Sequence, residues 1–323
     1  MAQFRTLSAA DVQEILGAFA QGVYRAHHPI AVGTVNTNLR VETDRRTLFL
    51  RVNEGKSRDD VEREAKIVAH AHLHGVATPA PLLTADGAMP YLAWRGERVS
   101  LFPWIEGRTL ARAEVTPAHA GAVGRALAGL HLASAGYADQ RPGRYEPGEI
   151  EARLARVTAL ARPELAGAVR VLTPELTRLR AERAADLPMG IIHGDLFIDN
   201  VMFGAGGVLT ALIDFEQASW GRLAYDLAVT TLAFGFGRDD FRPEIVRALI
   251  EAYAAARPLG DAERAAFGAE LRFVACRFAV TRITDVHLKR EAGAAPGKNF
   301  QRYLDRLASV KKHLAARDGL LDL

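Results

Sequence analysis

The stretch His193-Gly194-Asp195-Leu196-Phe197-Ile198-Asp199-Asn200 sets an Asp and an Asn five positions apart in a polar loop between apolar runs. Asp214-Phe215 then closes the apolar run LTALI that follows. If the flanking strands pair as a hairpin, Asp195, Asn200 and Asp214 converge as three hard oxygen donors, a set suited to Mg²⁺ and phosphate groups. The chemistry this predicts is phosphoryl chemistry on a nucleotide. His193 lies beside the hairpin, where a histidine more often satisfies a structural bond than acts as acid or base, and it is assigned a supporting role.

These residues need elements to hold them. Ser8 with Asp11 three positions on reads as a helix cap, and Val12, Ile15, Leu16 and Phe19 follow at helical spacing. From Ile30 to Val52 the pattern is that of a hairpin, with Asp44-Arg45-Arg46 as its turn. Asp59 to His74 reads as a helix stopped by Gly75, and Pro79, Pro81, Asp86-Gly87 and Pro90 punctuate short strands ending at RVSLFPW. PWIEG (103–107) marks the boundary, which predicts a sheet-rich lobe over 1–102 and a helical lobe over 103–323. In the second lobe Thr116-Pro117 opens a helix in cap and first-turn order, and further helices run from Glu149 to Ala185 and from Leu223 onward. Phe300, Tyr303, Leu304, Leu307, Val310 and Leu314 form one apolar stripe that should dock on the core.

Composition narrows the function. With 323 residues the chain makes one large domain or two lobes, and 41 Lys plus Arg against 38 Asp plus Glu is too even a balance for a polyanion partner. Nucleic acid is therefore not expected. Cys276 is the only cysteine, so there is no disulfide and no thiolate metal cluster, and a cytoplasmic setting suits it. No run of about 18 apolar residues predicts a membrane span. His70, His72 and His74 offer helical spacing for zinc but no third ligand nearby, and neither a GxSxG elbow nor a CxxC pair is present.

HGDxxxxN followed by IDF resembles the catalytic and metal loops of protein-kinase-like small-molecule kinases, the superfamily of aminoglycoside phosphotransferases and choline kinases. The resemblance implies an α+β, two-lobed protein-kinase-like fold, with a small antiparallel-sheet N-lobe and a larger, mainly helical C-lobe. It implies ATP and Mg²⁺ as cofactors, Asp195 as the group that orients the acceptor hydroxyl, and Asn200 and Asp214 as metal ligands. Asp226, in AYDLA, resembles the helix Asp that braces the catalytic loop; by its position alone it is equally a plain N-terminal helix charge. In the N-lobe Gly33-Thr34-Val35-Asn36-Thr37-Asn38 takes the place of a phosphate loop with a single glycine, so Gly33 would be assisted by the Asn36 and Asn38 side chains. Arg51 stands where such kinases carry a lysine, with Glu64 as its helix partner and Lys56 as a spare cation. LFPWIEG resembles the hinge that meets adenine.

Taken together, GTVNTN, HGDLFIDNVMF, LIDFEQASWGRLAYDLAVTTLAF, ARPLGDAERAAF and LRFVACRFAVTR resemble the kinase-fold homoserine kinase family over about Gly33 to Leu307. That implies a small-molecule substrate phosphorylated on its hydroxyl, on the way to threonine, by a monomer or weak dimer. A zwitterionic acceptor needs a cation and a carboxylate near Asp195. Arg277, Thr281 and Asp285 recur at i, i+4 and i+8 as a polar stripe that faces either a cleft or solvent, and Glu216 is the nearest spare carboxylate. Another small acceptor (aminoglycoside, choline or methylthioribose) and a non-catalytic kinase-fold binding protein stay open as alternatives.

Overall fold

Ser8 and Ser57 each precede a run of helix formers with an Asp three positions on, and in the computed structural model both pairs close into reciprocal caps. The structure describes residues 5–30, 36–183, 186–289 and 299–321. They fall into two units, Met1–Arg108 with Thr210–Glu216, and Thr109–Leu209 with Gln217–Leu323.

In the smaller unit the Ser8 cap starts α1 (Ala9–Ala18). Strands β1 (Tyr24–Pro29), β2 (Thr37–Thr43), β3 (Thr47–Val52), β4 (Leu92–Trp94) and β5 (Glu97–Pro103) form an antiparallel sheet in the order β1-β2-β3-β5-β4. Alternation along β2 and β3 puts Leu39, Val41, Leu48 and Leu50 on the buried face, where they share one core with Val12, Ile15 and Leu16 of α1. The Ser57 cap starts α2 (Arg58–Leu73), which stops short of Gly75. The expected hairpin pairs as β2 with β3. Strand β1 was not foreseen, because YRAHHP has no apolar alternation and ends in proline; it is an edge strand, where neither is required.

The larger unit carries α3 (Pro117–Leu132), α4 (Pro147–Ala159) and α5 (Ala166–Glu182), then strands β6 (Met189–Ile192), β7 (Val201–Phe203), β8 (Leu209–Leu212) and β9 (Ser219–Arg222). Along β8 the chain passes into the smaller unit, and it returns before β9. Helices α6 (Leu223–Gly235), α7 (Pro243–Ala256), α8 (Asp261–Arg282) and α9 (Gln301–Ala316) complete it. The strand pairing differs from a single hairpin around the polar loop. β6 pairs with β9, while β7 pairs with β8, so the loop joins two separate two-stranded ladders.

From Ala269 to Thr281 α8 is buried on all sides, with Leu271, Val274, Cys276 and Val280 sealed, as a helix through the middle of a core must be. α9 buries Tyr303, Leu307 and Val310 of its predicted stripe. α3 and α7 approach so closely that a Cβ on Gly124 would lie 2.2 Å from the Leu249 carbonyl oxygen. Among the described residues no helix is long and apolar enough to cross a membrane.

Candidate active site

Beyond β6 the chain bends at Gly194, whose φ of 73° favours glycine and whose Cβ, if present, would lie 2.8 Å from the Gln217 carbonyl oxygen. Asp226, buried at the start of α6, holds the bend: Oδ2 accepts the His193 N–H at 2.7 Å and Oδ1 the Gly194 N–H at 2.8 Å. Behind it, His131 of α3 meets Asp226 Oδ2 through Nε2 at 3.2 Å and the Tyr253 hydroxyl of α7 through Nδ1 at 2.7 Å.

Burial pushes the His131 pKa down, against the pull of Asp226. Burial also opposes the Asp226 charge, but the bond from His131 and the backbone N–H groups outweigh it and hold the carboxyl below its usual range. The relay is therefore carboxylate, neutral imidazole donating from Nε2, and phenol donating to Nδ1.

This bend presents Asp195, whose side chain is 32% exposed and whose Oδ1 lies 3.8 Å from Nη1 of Arg277. Arg277 is buried in α8, with its guanidinium over the rings of Tyr145 (4.1 Å) and Phe278 (3.7 Å). Asn200 closes a short 3₁₀ turn, Ile198–Asn200, and donates Nδ2 to the Asp195 carbonyl at 2.8 Å, which turns its amide oxygen away from that bond. His193 is fully buried, and what it lends the loop is its backbone N–H.

In the smaller unit Arg51 of β3 lies opposite Asn38 of β2 and Ser100 of β5. Its Nη2 donates to Glu64 Oε1 at 2.5 Å, and its Nη1 lies 3.6 Å from Glu216 Oε1. Lys56 bridges the same two carboxylates, at 3.2 Å from Glu64 and 2.9 Å from Glu216. Burial works against the Arg51 charge, but Glu64, Glu216 and Asp214 outweigh it and raise its pKa above the ordinary guanidinium value. Glu64 mirrors this: burial alone would raise its pKa, and Arg51 and Lys56 bring it below the carboxylate norm. Asp214 adopts φ 65°, a left-handed conformation that a short polar side chain tolerates and that is often stored where function needs it.

The predicted residues thus gather in two groups. Asp195, Asn200, His193, Asp226 and Arg277 surround one loop; Arg51, Glu64, Asn36 and Glu216 share one ion-pair cluster, with Asp214 in electrostatic reach of Arg51. Glu216 is not a spare carboxylate, since Lys56, Arg51 and the Asn36 amide all engage it. Asn36 therefore directs its N–H at that carboxylate. Asn38 is half-buried on β2, and Gly33 lies outside the described residues. The polar stripe on α8 divides: Arg277 turns to Asp195, whereas Asp285 accepts from Arg153 of α4 at 2.8 Å. His131 and Tyr253 were not singled out in the sequence, where each is one polar group in an apolar helix.

Asn200 and Asp214 are a neutral and an anionic oxygen donor. That donor chemistry fits a hard divalent cation. Among the described residues no group of three or more His, Cys, Asp or Glu side chains could by itself hold a metal ion.

The phosphotransferase enzyme family matches residues 27–265, and the chain belongs to that family. Within it, the chain is 32% identical over 309 residues to the homoserine kinase of Allorhizobium ampelinum, covering 95% of both chains. It is 34% identical over 297 residues to that of Nitrobacter winogradskyi, covering 91% of this chain and 89% of the relative. Its fold is that of spectinomycin phosphotransferase, solved with ADP and spectinomycin, at a TM-score of 0.68, 15% identity and 95% coverage of both chains.

Proposed function

We propose that this protein transfers the γ-phosphoryl group of ATP to the side-chain hydroxyl of L-homoserine, giving O-phospho-L-homoserine and ADP. The observation that carries this reading is the grip of Asp226 on two consecutive backbone N–H groups, which aims Asp195 out of a rigid bend. Support for the acceptor comes from homoserine kinases that match the chain over nearly its whole length.

Asp195 accepts the proton of the acceptor hydroxyl as that oxygen bonds to the γ-phosphorus and the bond to the bridging oxygen of ADP breaks. Arg277 holds the Asp195 carboxylate in place from the side. Lys56 and Arg51, fixed by Glu64 and Glu216, face the nucleotide phosphates as cations whose positions are set before binding. Asn200 and Asp214 are the residues to hold Mg²⁺, which when bound neutralises phosphate charge.

The test is an ADP-release assay across L-homoserine, aminoglycosides, choline and methylthioribose. L-homoserine should stand apart by orders of magnitude in kcat/KM, as a site built around a substrate's polar groups allows. A preference for any of the others overturns the acceptor assignment.

A further inference from the structure

The larger unit carries a partly open pocket of about 180 Å³ that the mechanism above does not use. An engineered cavity of about 150 Å³ takes benzene, so this one has room for a molecule of a few carbon atoms. Its wall carries Arg183 and Arg222, and both spend their charge on one carboxylate. Arg183 reaches Glu270 Oε2 through Nε (3.0 Å) and Nη2 (2.7 Å), and Arg222 reaches Oε1 through Nη1 (3.2 Å). Glu270 is fully sealed behind them, so two guanidinium groups share one buried carboxylate and can take a further anion from the pocket.

The guanidinium of Arg183 is pinned over the Phe273 ring at 3.7 Å, and Arg222 is tied to the Arg183 carbonyl at 2.6 Å. Neither is a mobile surface group. Glu146, just before α4, also lines the cavity. Desolvation raises its carboxyl pKa even though Arg183 and Arg222 attract it, so a cation beside it would relieve the cost. The remaining wall leads to the chemistry: Gly194 directly precedes Asp195, and the buried phenol of Tyr225 lies within electrostatic reach of both Asp195 and Arg277.

We propose that this cavity is the acceptor pocket and takes a small α-amino acid as its zwitterion, with the carboxylate on Arg222 and Arg183, the ammonium on Glu146, and the side-chain hydroxyl directed past Gly194 toward Asp195. The assignment rests on the phosphotransfer reading and replaces Glu216 with Glu146 as the partner of the ammonium.

The test uses the full chain with three acceptors: L-homoserine, 4-hydroxybutanoate, which lacks the ammonium, and homoserinol, in which CH₂OH replaces the carboxylate. Glu146→Gln should raise KM for L-homoserine by roughly tenfold or more, far beyond its effect on kcat, and leave use of 4-hydroxybutanoate no worse. Arg222→Met should penalise L-homoserine and spare homoserinol. Glu146 is exposed overall, so its variant tests the idea even if Arg222→Met does not fold. Unchanged KM for L-homoserine in Glu146→Gln, with wild-type turnover intact, overturns the pocket alone. Absence of L-homoserine turnover in the wild type overturns the reading beneath it, and calorimetric titration of L-homoserine into wild type and Glu146→Gln then decides the pocket separately: equal affinities, or no binding, reject it.

Discussion

In the proposed reaction Asp195 takes a proton from a hydroxyl, and its loop is held from behind by Asp226 and His131. Asp195→Asn should lower kcat by about 10²- to 10⁴-fold while calorimetry still finds nucleotide binding, because only the proton acceptor is lost. Behind it, the lowered pKa of His131 makes a pH prediction. Between its depressed folded value and the ordinary ~6.5, the unfolded chain binds a proton that the folded chain refuses, so stability falls as pH drops below about 6.5. Urea midpoints from pH 7.5 to 5.5 should show that slope, and His131→Gln should flatten it. The Asp226 contribution has the opposite origin, a lowered carboxyl pKa, and is lost only at more acidic pH, below the ordinary carboxylate value. In the smaller unit, Arg51→Met leaves buried Glu64 with Lys56 alone and should cost about 3–5 kcal/mol in denaturant unfolding.

Elements translate these residues into positions. α3 supplies His131 and α7 supplies Tyr253, so the relay behind the catalytic bend depends on how closely the two helices pack. Gly124→Ala forces a Cβ against the Leu249 carbonyl and should both destabilise the protein and reduce kcat. Gly129→Ala, on the same helix with nothing within 4 Å of the new Cβ, should instead stabilise it by about 0.5–1 kcal/mol. Paired thermal melts and assays of the two variants separate close packing from helix propensity. The caps of α1 and α3 were legible because they are written within three or four residues of sequence, whereas the Ser57 cap of α2 was not singled out. β1 was not, since an edge strand needs no apolar alternation to pair.

At the scale of the whole molecule, nucleotide binding and folding are linked. A non-hydrolysable ATP analogue with Mg²⁺ at about 100 times its Kd should add about 2.7 kcal/mol to stability, and EDTA should remove most of that gain in a thermal melt. Asp214→Ala should lose the Mg²⁺-dependent part specifically. The linear chain already carried the polar loop from His193 to Asn200 and the strand that ends at Pro103, because turn chemistry and periodicity are short-range, whereas the strand before Asp214 stops at Leu212. Packing alone chose the partners. Arg183 finds Glu270 across 87 positions, Asn36 finds Glu216 across 180, and Asp226 finds His131 across 95. An ion pair or buried hydrogen bond depends on distance and desolvation in space, and neither leaves a period or a spacing along the chain.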